Sequence, residues 1–208
     1  MIIGESKHCD MQQGYDMVLS NPPFGKATVA QLPEPSLWCH KLSSKDGSCK
    51  PVKLLKSAAL ELLFFEHCIE KLNDGGLCSI LLPDGILSNA SYSEHRKYFM
   101  ESNRLLASIS LPRETFLHGN TGVKTSVICF EKGEVNISSS ENALIFMAQI
   151  GDIGWDSRLR PTGGEDVTTV TCAFKEFIQG QSEKNNAEVL FADEDEHEEE
   201  LPLLLFRF

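Results

Sequence analysis

The stretch Tyr15 to Gly25 reads YDMVLSNPPFG, an apolar run followed directly by Asn-Pro-Pro-Phe. The run from Tyr15 to Ser20 has almost no polar alternation, which is typical of a parallel strand covered on both faces. Each proline fixes its own φ near about −65° and keeps the residue before it extended. The sequence therefore predicts a buried strand that ends in a stiff loop, at the strand end where open α/β sheets bind ligands.

The four loop residues, Asn21 to Phe24, suit an aromatic amine. Neither proline has an N–H that could draw the loop into a strand ladder, so the Pro22 carbonyl can point into the crevice. Asn21 adds a neutral acceptor oxygen, and two fixed acceptors can bind one NH2 group. Phe24 offers a flat apolar face for a planar ring. The alternative interpretation is a rigid turn that merely ends the strand.

The charge is unevenly distributed along the 208 residues, a length that suits one domain of ordinary size with a tail. The net charge is −11, and DEDEHEEE at residues 193–200 holds seven of the acids. The remaining sequence shows no basic stripe of the kind that grips a phosphate backbone. If the substrate is nucleic acid, we expect another chain to supply much of the electrostatic attraction.

The sequence indicates a cytoplasmic protein without a membrane partner. No apolar run approaches the ~18 residues that a membrane span needs, and the N-terminus lacks the pattern of a secretory signal. The seven cysteines contain no C-x-x-C and are interpreted as reduced thiols. Cys39, His40 and Cys49 fit no zinc spacing, so no metal site is predicted.

The order of predicted elements favours an α/β fold whose mixed sheet is antiparallel at one end. Further strands are predicted at residues 77–83, 105–112, 125–132 and 142–150. Helices are predicted at 57–72, at 91–102 with a Ser91–Glu94 capping box, and at 166–179. Residues 25–53 are expected to be a long irregular loop.

Five segments, in order, resemble a known family. NPPF after an apolar strand is similar to the catalytic loop of DNA adenine-N6 methyltransferases. Together with residues 61–87, 94–116, 121–133 and 146–161, it resembles the modification subunit of type I restriction-modification systems. The resemblance covers roughly residues 1–165. It implies part of a Rossmann-like methyltransferase sheet that lacks its first strands.

The resemblance also implies a reaction and a set of site residues. The expected reaction moves a methyl group from S-adenosylmethionine to N6 of an adenine flipped out of DNA. Asn21 and Pro22 would be the catalytic acceptors of the N6 hydrogens, and Pro23 and Phe24 would bind the base. Asn21 would also lie beside the cofactor. Glu5, in IIGES, would replace an aspartate that lies near the cofactor's adenine in related enzymes.

The resemblance assigns residues 1–150 to the C-terminal half of the catalytic domain and 151–180 to a family-like extension. The acidic composition of residues 181–208 predicts a disordered tail. No Gly-rich cofactor loop follows an apolar strand upstream of Asn21. The implied partners are DNA with a flipped adenine, the specificity and restriction subunits, and a separately encoded N-terminal half. The alternatives are a non-catalytic remnant or subunit-interaction module, and a glutamine or RNA methyltransferase with an NPP loop. Phe in place of Tyr at position 24 disfavours the latter.

Because the Gly-rich loop is missing, the sequence predicts negligible methyl transfer by this chain alone. Calorimetry with S-adenosylmethionine checks this expectation: binding should appear only when the Gly-rich half is added. Absence of binding even then would favour the remnant, and robust methylation of adenine-containing DNA by the isolated chain would contradict the prediction.

Overall fold

The computed structural model describes residues 14–32, 36–44, 49–119, 122–133 and 144–184. Its strands are β1 (Tyr15–Ser20), β2 (Lys26–Thr28), β3 (His40–Ser43), β4 (Lys50–Leu54), β5 (Ser57–Ala59), β6 (Leu72–Pro83), β7 (Asn103–Ser110), β8 (Thr125–Lys132) and β9 (Phe146–Gln149). Its helices are α1 (Leu60–Lys71), α2 (Asp84–Ser88), α3 (Ser93–Ser102) and, closing the described chain, α4 (Asp166–Lys184). Within these ranges, no helix is both long and apolar enough to cross a membrane.

Five strands form one mixed sheet in the order β1-β6-β8-β7-β9. The β1–β6 and β7–β9 pairs are parallel. Strand β8 runs against β7, because the Leu111 N–H donates to the Thr125 carbonyl (2.9 Å) and the Gly133 N–H to the Ser102 carbonyl (3.3 Å). The predicted mixed α/β sheet is confirmed. Its antiparallel strand, however, lies inside the sheet order and not at an edge.

The predicted burial of β1 is wrong. The strand forms one edge of the described sheet, and Met17 and Leu19 are 60% and 76% exposed. The apolar run correctly indicated a strand, but burial depends on the elements that cover its faces and not on the run itself. In the described part of the chain, these side chains are left largely open.

Contacts among the described residues define two compact units, the first comprising those that lie within 1–81, 89–105 and 129–135. Its core is aromatic: Phe65 of α1 packs on Phe99 and Phe130 with ring centroids 4.9 and 5.4 Å apart. Trp38 closes the cluster at 5.5 Å from Phe65. Since burying one such side chain contributes about 1.5–3 kcal/mol, this cluster is the main apolar anchor of α1.

The second unit comprises the described residues that lie within 82–88, 106–128 and 136–208. Here the fully buried Phe146 of β9 packs against Phe174 and Phe177 of α4, at 5.2 and 5.5 Å. In the first turn of α4, the Asp166 carboxylate accepts the N–H groups of Gly151 and Asp152. The predicted helix at 166–179 is therefore present, and it continues to Lys184.

Several predicted boundaries are wrong for identifiable reasons. Helix α1 begins at Leu60, because residues 57–59 form β5. Strand β6 begins at Leu72, since Tyr15 pairs with Leu72 and Met17 with Leu77, which leaves residues 73–76 as a bulge. Strand β9 covers only Phe146–Gln149 of the predicted 142–150, and residues 142–143 lie outside the described ranges.

The predicted capping box of α3 is also wrong. The helix begins at Ser93 with Tyr92 at the N-cap, and that cap has no side-chain hydrogen bond. The Ser93 hydroxyl instead donates to the Ala90 carbonyl at 2.8 Å. A short 3-10 turn at Ala90–Tyr92 takes the place that the motif assigned to Ser91.

The predicted irregular loop at 25–53 contains two antiparallel ribbons. Strand β2 pairs with β5, and β3 pairs with β4. The Leu55 N–H donates to the Cys39 carbonyl at 2.8 Å, and the Val29 N–H to the Lys56 carbonyl at 3.1 Å. These bonds order the backbone of the paired residues.

Acidification is expected to destabilise the first unit through His95, which is buried against Trp38 and Tyr92. Burial lowers the pKa of His95, and Arg96 acts in the same direction, against the His40 carbonyl and Glu94. The unfolded chain therefore binds the proton more readily, so stability is lost as pH falls below about 6.5. Urea unfolding at pH 7.5 and 5.5 measures this loss.

The matched variant for this prediction is His95→Gln, which keeps a polar side chain but does not titrate. It should lose less stability than the wild type between the two pH values. An equal loss in both proteins would mean that other groups cause it.

Candidate functional site

The Asn-Pro-Pro-Phe loop directly follows β1, at the carboxyl end of that strand. The register pairs Ser20 with Ile80 of the parallel neighbour β6, so the loop leaves the sheet at a parallel strand end. Asn21 and Pro23 are exposed, Pro22 is buried and Phe24 is half-buried. The structure thus keeps the Asn21 amide open to solvent and part of the Phe24 ring accessible. Glu5, the predicted cofactor residue, lies outside the described residues.

Gly25 fixes the end of this loop. Its φ of +146° lies where an L side chain is rarely found, so a glycine is needed here. The Gly25 N–H donates to Oε1 of Glu61 at 3.0 Å, and its carbonyl accepts the Leu60 N–H at 3.0 Å. Both bonds tie the loop to the first turn of α1. The position of Phe24 therefore depends on where that helix begins.

Glu61 is a positioning residue that the sequence interpretation missed. Its side chain is only 6% exposed, although an acid is almost never fully buried unless it is paired. Two features stabilise the carboxylate: the Gly25 N–H and the N-terminal end of the helix dipole. The helical register of the sequence could have predicted the burial of Glu61, because this residue falls on the same face as the buried Phe65 and Cys68.

The loop is held from its other side by the short β2–β5 ribbon. In that ribbon Lys26 pairs with Ala59, and Thr28 pairs with Ser57. Val29, Cys39 and Ala58 form a small buried cluster beside it. The loop is therefore fixed by β1 before it and by β2 after it, which limits the freedom of Asn21.

The thiol of Cys68 lies near Ser20 at the end of β1 and interacts with the thiol of Cys78. A hydrogen bond from Cys78 lowers the pKa of Cys68 to about 7, while a weaker bond with Ser20 acts in the same direction and burial opposes both. The same bond raises the pKa of Cys78. The six cysteines in the described part of the chain are free of disulfide bonds.

A polar cluster in the second unit follows the end of β6. The Asp84 carboxylate accepts the Ser126 hydroxyl at 2.9 Å and lies 3.7 Å from Nζ of Lys124. The Asp84 N–H also donates to the Lys124 carbonyl at 2.9 Å. These bonds fix the turn that leads from β6 into α2.

The loop presents the exposed neutral amide of Asn21 and the half-buried ring of Phe24, whereas Pro22 is buried. An amide oxygen can accept a hydrogen from an NH2 group. Within the described ranges, no group of three or more His, Cys, Asp or Glu residues is placed to hold a metal ion.

The fold and this loop define a methyltransferase-like α/β unit, and comparison with known families agrees. Residues 4–200 match the family model of N-6 DNA methylases. The chain belongs to that family.

Curated relatives of the chain are type I restriction enzyme methylase subunits. The EcoKI methylase subunit of Escherichia coli K12 is 30% identical over 120 residues, which are 57% of this chain and 19% of the relative. The StySPI methylase subunit of Salmonella potsdam is 31% identical over 121 residues, 58% of this chain and 19% of the relative. The chain therefore spans about a fifth of the relatives it matches.

Two solved structures share the fold. A chain from a study of complex assembly and conformational transition in the type I R-M system aligns with a TM-score of 0.54 and 22% identity, covering 82% of this chain and 31% of that one. A modification subunit of a putative type I restriction enzyme from Vibrio vulnificus aligns with a TM-score of 0.51 and 17% identity, covering 88% and 34%. These matches confirm the predicted Rossmann-like methyltransferase fold.

Glu61→Ala is expected to release the end of the loop, since it leaves the Gly25 N–H without its acceptor. The cost should be about 1–3 kcal/mol of unfolding free energy, with at least about tenfold faster exchange of the Gly25 amide proton. Glu61→Gln keeps an acceptor oxygen and should restore much of the protection. Amide exchange followed by NMR measures both effects.

Glu70→Ala is the matched control, because Glu70 is an exposed acid on the same helix. It should leave the Gly25 exchange rate unchanged. Wild-type protection of Gly25 in Glu61→Ala would show that the carboxylate does not hold the loop.

Proposed function

We propose that this chain carries the adenine-binding part of an S-adenosylmethionine-dependent DNA adenine-N6 methyltransferase of a type I restriction-modification system. The observation that carries the proposal is the Asn-Pro-Pro-Phe loop at the end of parallel strand β1, in a chain of the N-6 DNA methylase family. The open Asn21 amide and the half-buried Phe24 ring are the groups that such a substrate needs.

Asn21 and Pro22 act on the target amine. The lone pair of the adenine N6 is delocalised into the ring, so the amine is a poor nucleophile. The Asn21 side-chain oxygen and the Pro22 carbonyl accept its two hydrogens, and these bonds improve as the nitrogen pyramidalises. Because they are stronger in the transition state than in the ground state, they lower the barrier.

S-adenosylmethionine, when bound, supplies an electrophilic methyl group on its sulfonium. Asn21 and Pro22 would hold the amine while it accepts that methyl group, and the methylated nitrogen would release one proton to solvent water. Of the described residues, we assign Asn21 to the boundary between base and cofactor. Glu5 remains a predicted cofactor contact.

Phe24 and Pro23 hold the base. A flipped adenine stacks on the exposed part of the Phe24 ring, a contact worth about 1–3 kcal/mol for a base on an aromatic side chain. Pro23 is exposed beside it and gives a rigid apolar edge. Flipping costs a few kcal/mol, so this stack offsets part of that cost.

The proposed partners follow from the relatives, which are methylase subunits of type I restriction enzymes. We infer DNA as substrate, with specificity and restriction subunits as protein partners. In this assignment another subunit reads the target sequence, and the present loop supplies the chemistry.

Asn21→Ala is expected to lower methyl transfer by about 10²–10³-fold, because one transition-state acceptor is lost. Phe24→Leu should weaken base binding more than it slows transfer. The assay uses the chain within its methylase assembly, genomic DNA that holds all target sequences, and mass spectrometry of N6-methyladenine. Asn89→Ala, an exposed amide outside the loop, is the control and should be fully active.

Two results would contradict the proposal. One is wild-type N6-methyladenine formation by Asn21→Ala. The other is label from the methyl donor that appears in protein or RNA and not in DNA, which would point to a glutamine or RNA methyltransferase.

A further inference from the structure

Positive charge is concentrated in the segment that joins the Asn-Pro-Pro-Phe loop to α1. Residues 26–56 contain six lysines and only two acids, in a chain whose net charge is −11. The overall charge hides this local excess. Three of these lysines lie in the β3–β4 ribbon, so the ribbon carries much of the positive charge of the segment.

The strand register places these three lysines on one face. Lys41 pairs with Lys53, and Ser43 pairs with Lys50. Paired residues of an antiparallel ribbon share a face, and so do residues two apart on a strand. Lys41, Lys50 and Lys53 therefore line one side of the ribbon, and all three are exposed.

The opposite face holds the ribbon in place. Leu42 is buried there, and Trp38 and Cys39 are buried just before β3. Nε2 of His95 on α3 lies 3.1 Å from the His40 carbonyl. The bulge between the Lys41 and Leu42 pairings twists β4 locally. These contacts anchor the face of the ribbon that lies opposite the lysines.

The arrangement is electrostatically unfavourable by itself. Two like charges directly opposite each other destabilise a ribbon, and this is the situation of Lys41 and Lys53. No described carboxylate lies within 4.0 Å of the amino groups of the three ribbon lysines. Burial raises the pKa of Cys49, the residue before β4. Glu94 and Glu101 of α3 raise it further, whereas Lys97 of the same helix lowers it. A bound polyanion would attract all three lysines and so offset the repulsion between them.

We propose that the outer face of the β3–β4 ribbon binds the phosphate backbone of DNA. The face presents lysine and serine, which are common side-chain contacts of phosphate oxygens. The ribbon and the Asn-Pro-Pro-Phe loop belong to the same compact unit. The β2–β5 pair closes the segment that contains the ribbon, and this segment begins directly after the loop. This inference rests on the proposed function, because DNA is the polyanion expected beside that loop.

The test measures binding to a fluorescent 30-base-pair duplex of G·C pairs only, which offers phosphates but no target adenine. Lys41→Gln/Lys50→Gln/Lys53→Gln should reduce the affinity at 50 mM salt at least about tenfold. The slope of log K against log salt should fall by about 2.7, the value for three lost phosphate contacts.

The matched control removes three exposed cations from the other unit: Arg113→Gln/Arg158→Gln/Lys175→Gln. It changes the net charge equally but should retain most of the wild-type affinity and slope. An equal fall in both variants would overturn the proposal, as would an absence of salt-dependent binding by the wild type. Polyglutamate that competes as well as DNA at equal charge would favour an acidic protein and overturn it too.

The ribbon variant is expected to fold, because removing Lys41 and Lys53 relieves repulsion. Its thermal unfolding midpoint should equal or exceed that of the wild type. Since the G·C duplex contains no adenine, loss of binding here is independent of Asn21. The ribbon variant could still bind this duplex normally and still support adenine methylation. That result would show that the ribbon is not part of the DNA site, while the proposed reaction would stand.

Discussion

The site depends on one buried interaction, the hydrogen bond from the Gly25 N–H to the carboxylate of Glu61. A buried acid is costly unless it is paired, so Glu61 requires the loop as much as the loop requires Glu61. The bond joins the residue after Phe24 to the first turn of α1. Strand β2, which directly follows Gly25, pairs with β5, which directly precedes α1. The geometry around Asn21 is therefore set by a helix that does not itself contact the proposed substrate.

In the proposed function, the groups that contact the reacting amine and the groups that attract DNA lie on different segments of the chain. The Asn-Pro-Pro-Phe loop offers neutral groups, which suit the proposed amine substrate. Charge is supplied elsewhere, on the β3–β4 ribbon. This division fits a reaction in which substrate binding is driven by phosphates while the reacting atom is neutral. An acidic overall composition is compatible with such a division, because only the local charge at a contact surface matters over a Debye length.

The elements that were predicted correctly are those that short-range sequence patterns encode. Strands β1 and β8 and the body of α1 were predicted from continuous apolar runs and a four-residue repeat, and the structure confirms these elements, though not the burial of β1. The short ribbons were missed because their pairing joins distant residues, as in Lys26 with Ala59, and strands of three to five residues carry little periodicity. Glu61 was missed since an acid in a helix is ordinarily exposed. The basic face was missed because its lysines come together only through the register of β3 and β4.

The pairing of Lys26 with Ala59 brings the two ends of a long segment together. The exposed parts of the segment between these ends can change in length at little cost, because the entropic cost of closing a longer loop rises only slowly. The segment is thus closed at its base by backbone pairing and not by its own length. If the ribbon face binds DNA as proposed, a change in the exposed part of the segment would alter that surface and leave the base of the segment, directly after the proposed reaction loop, in place.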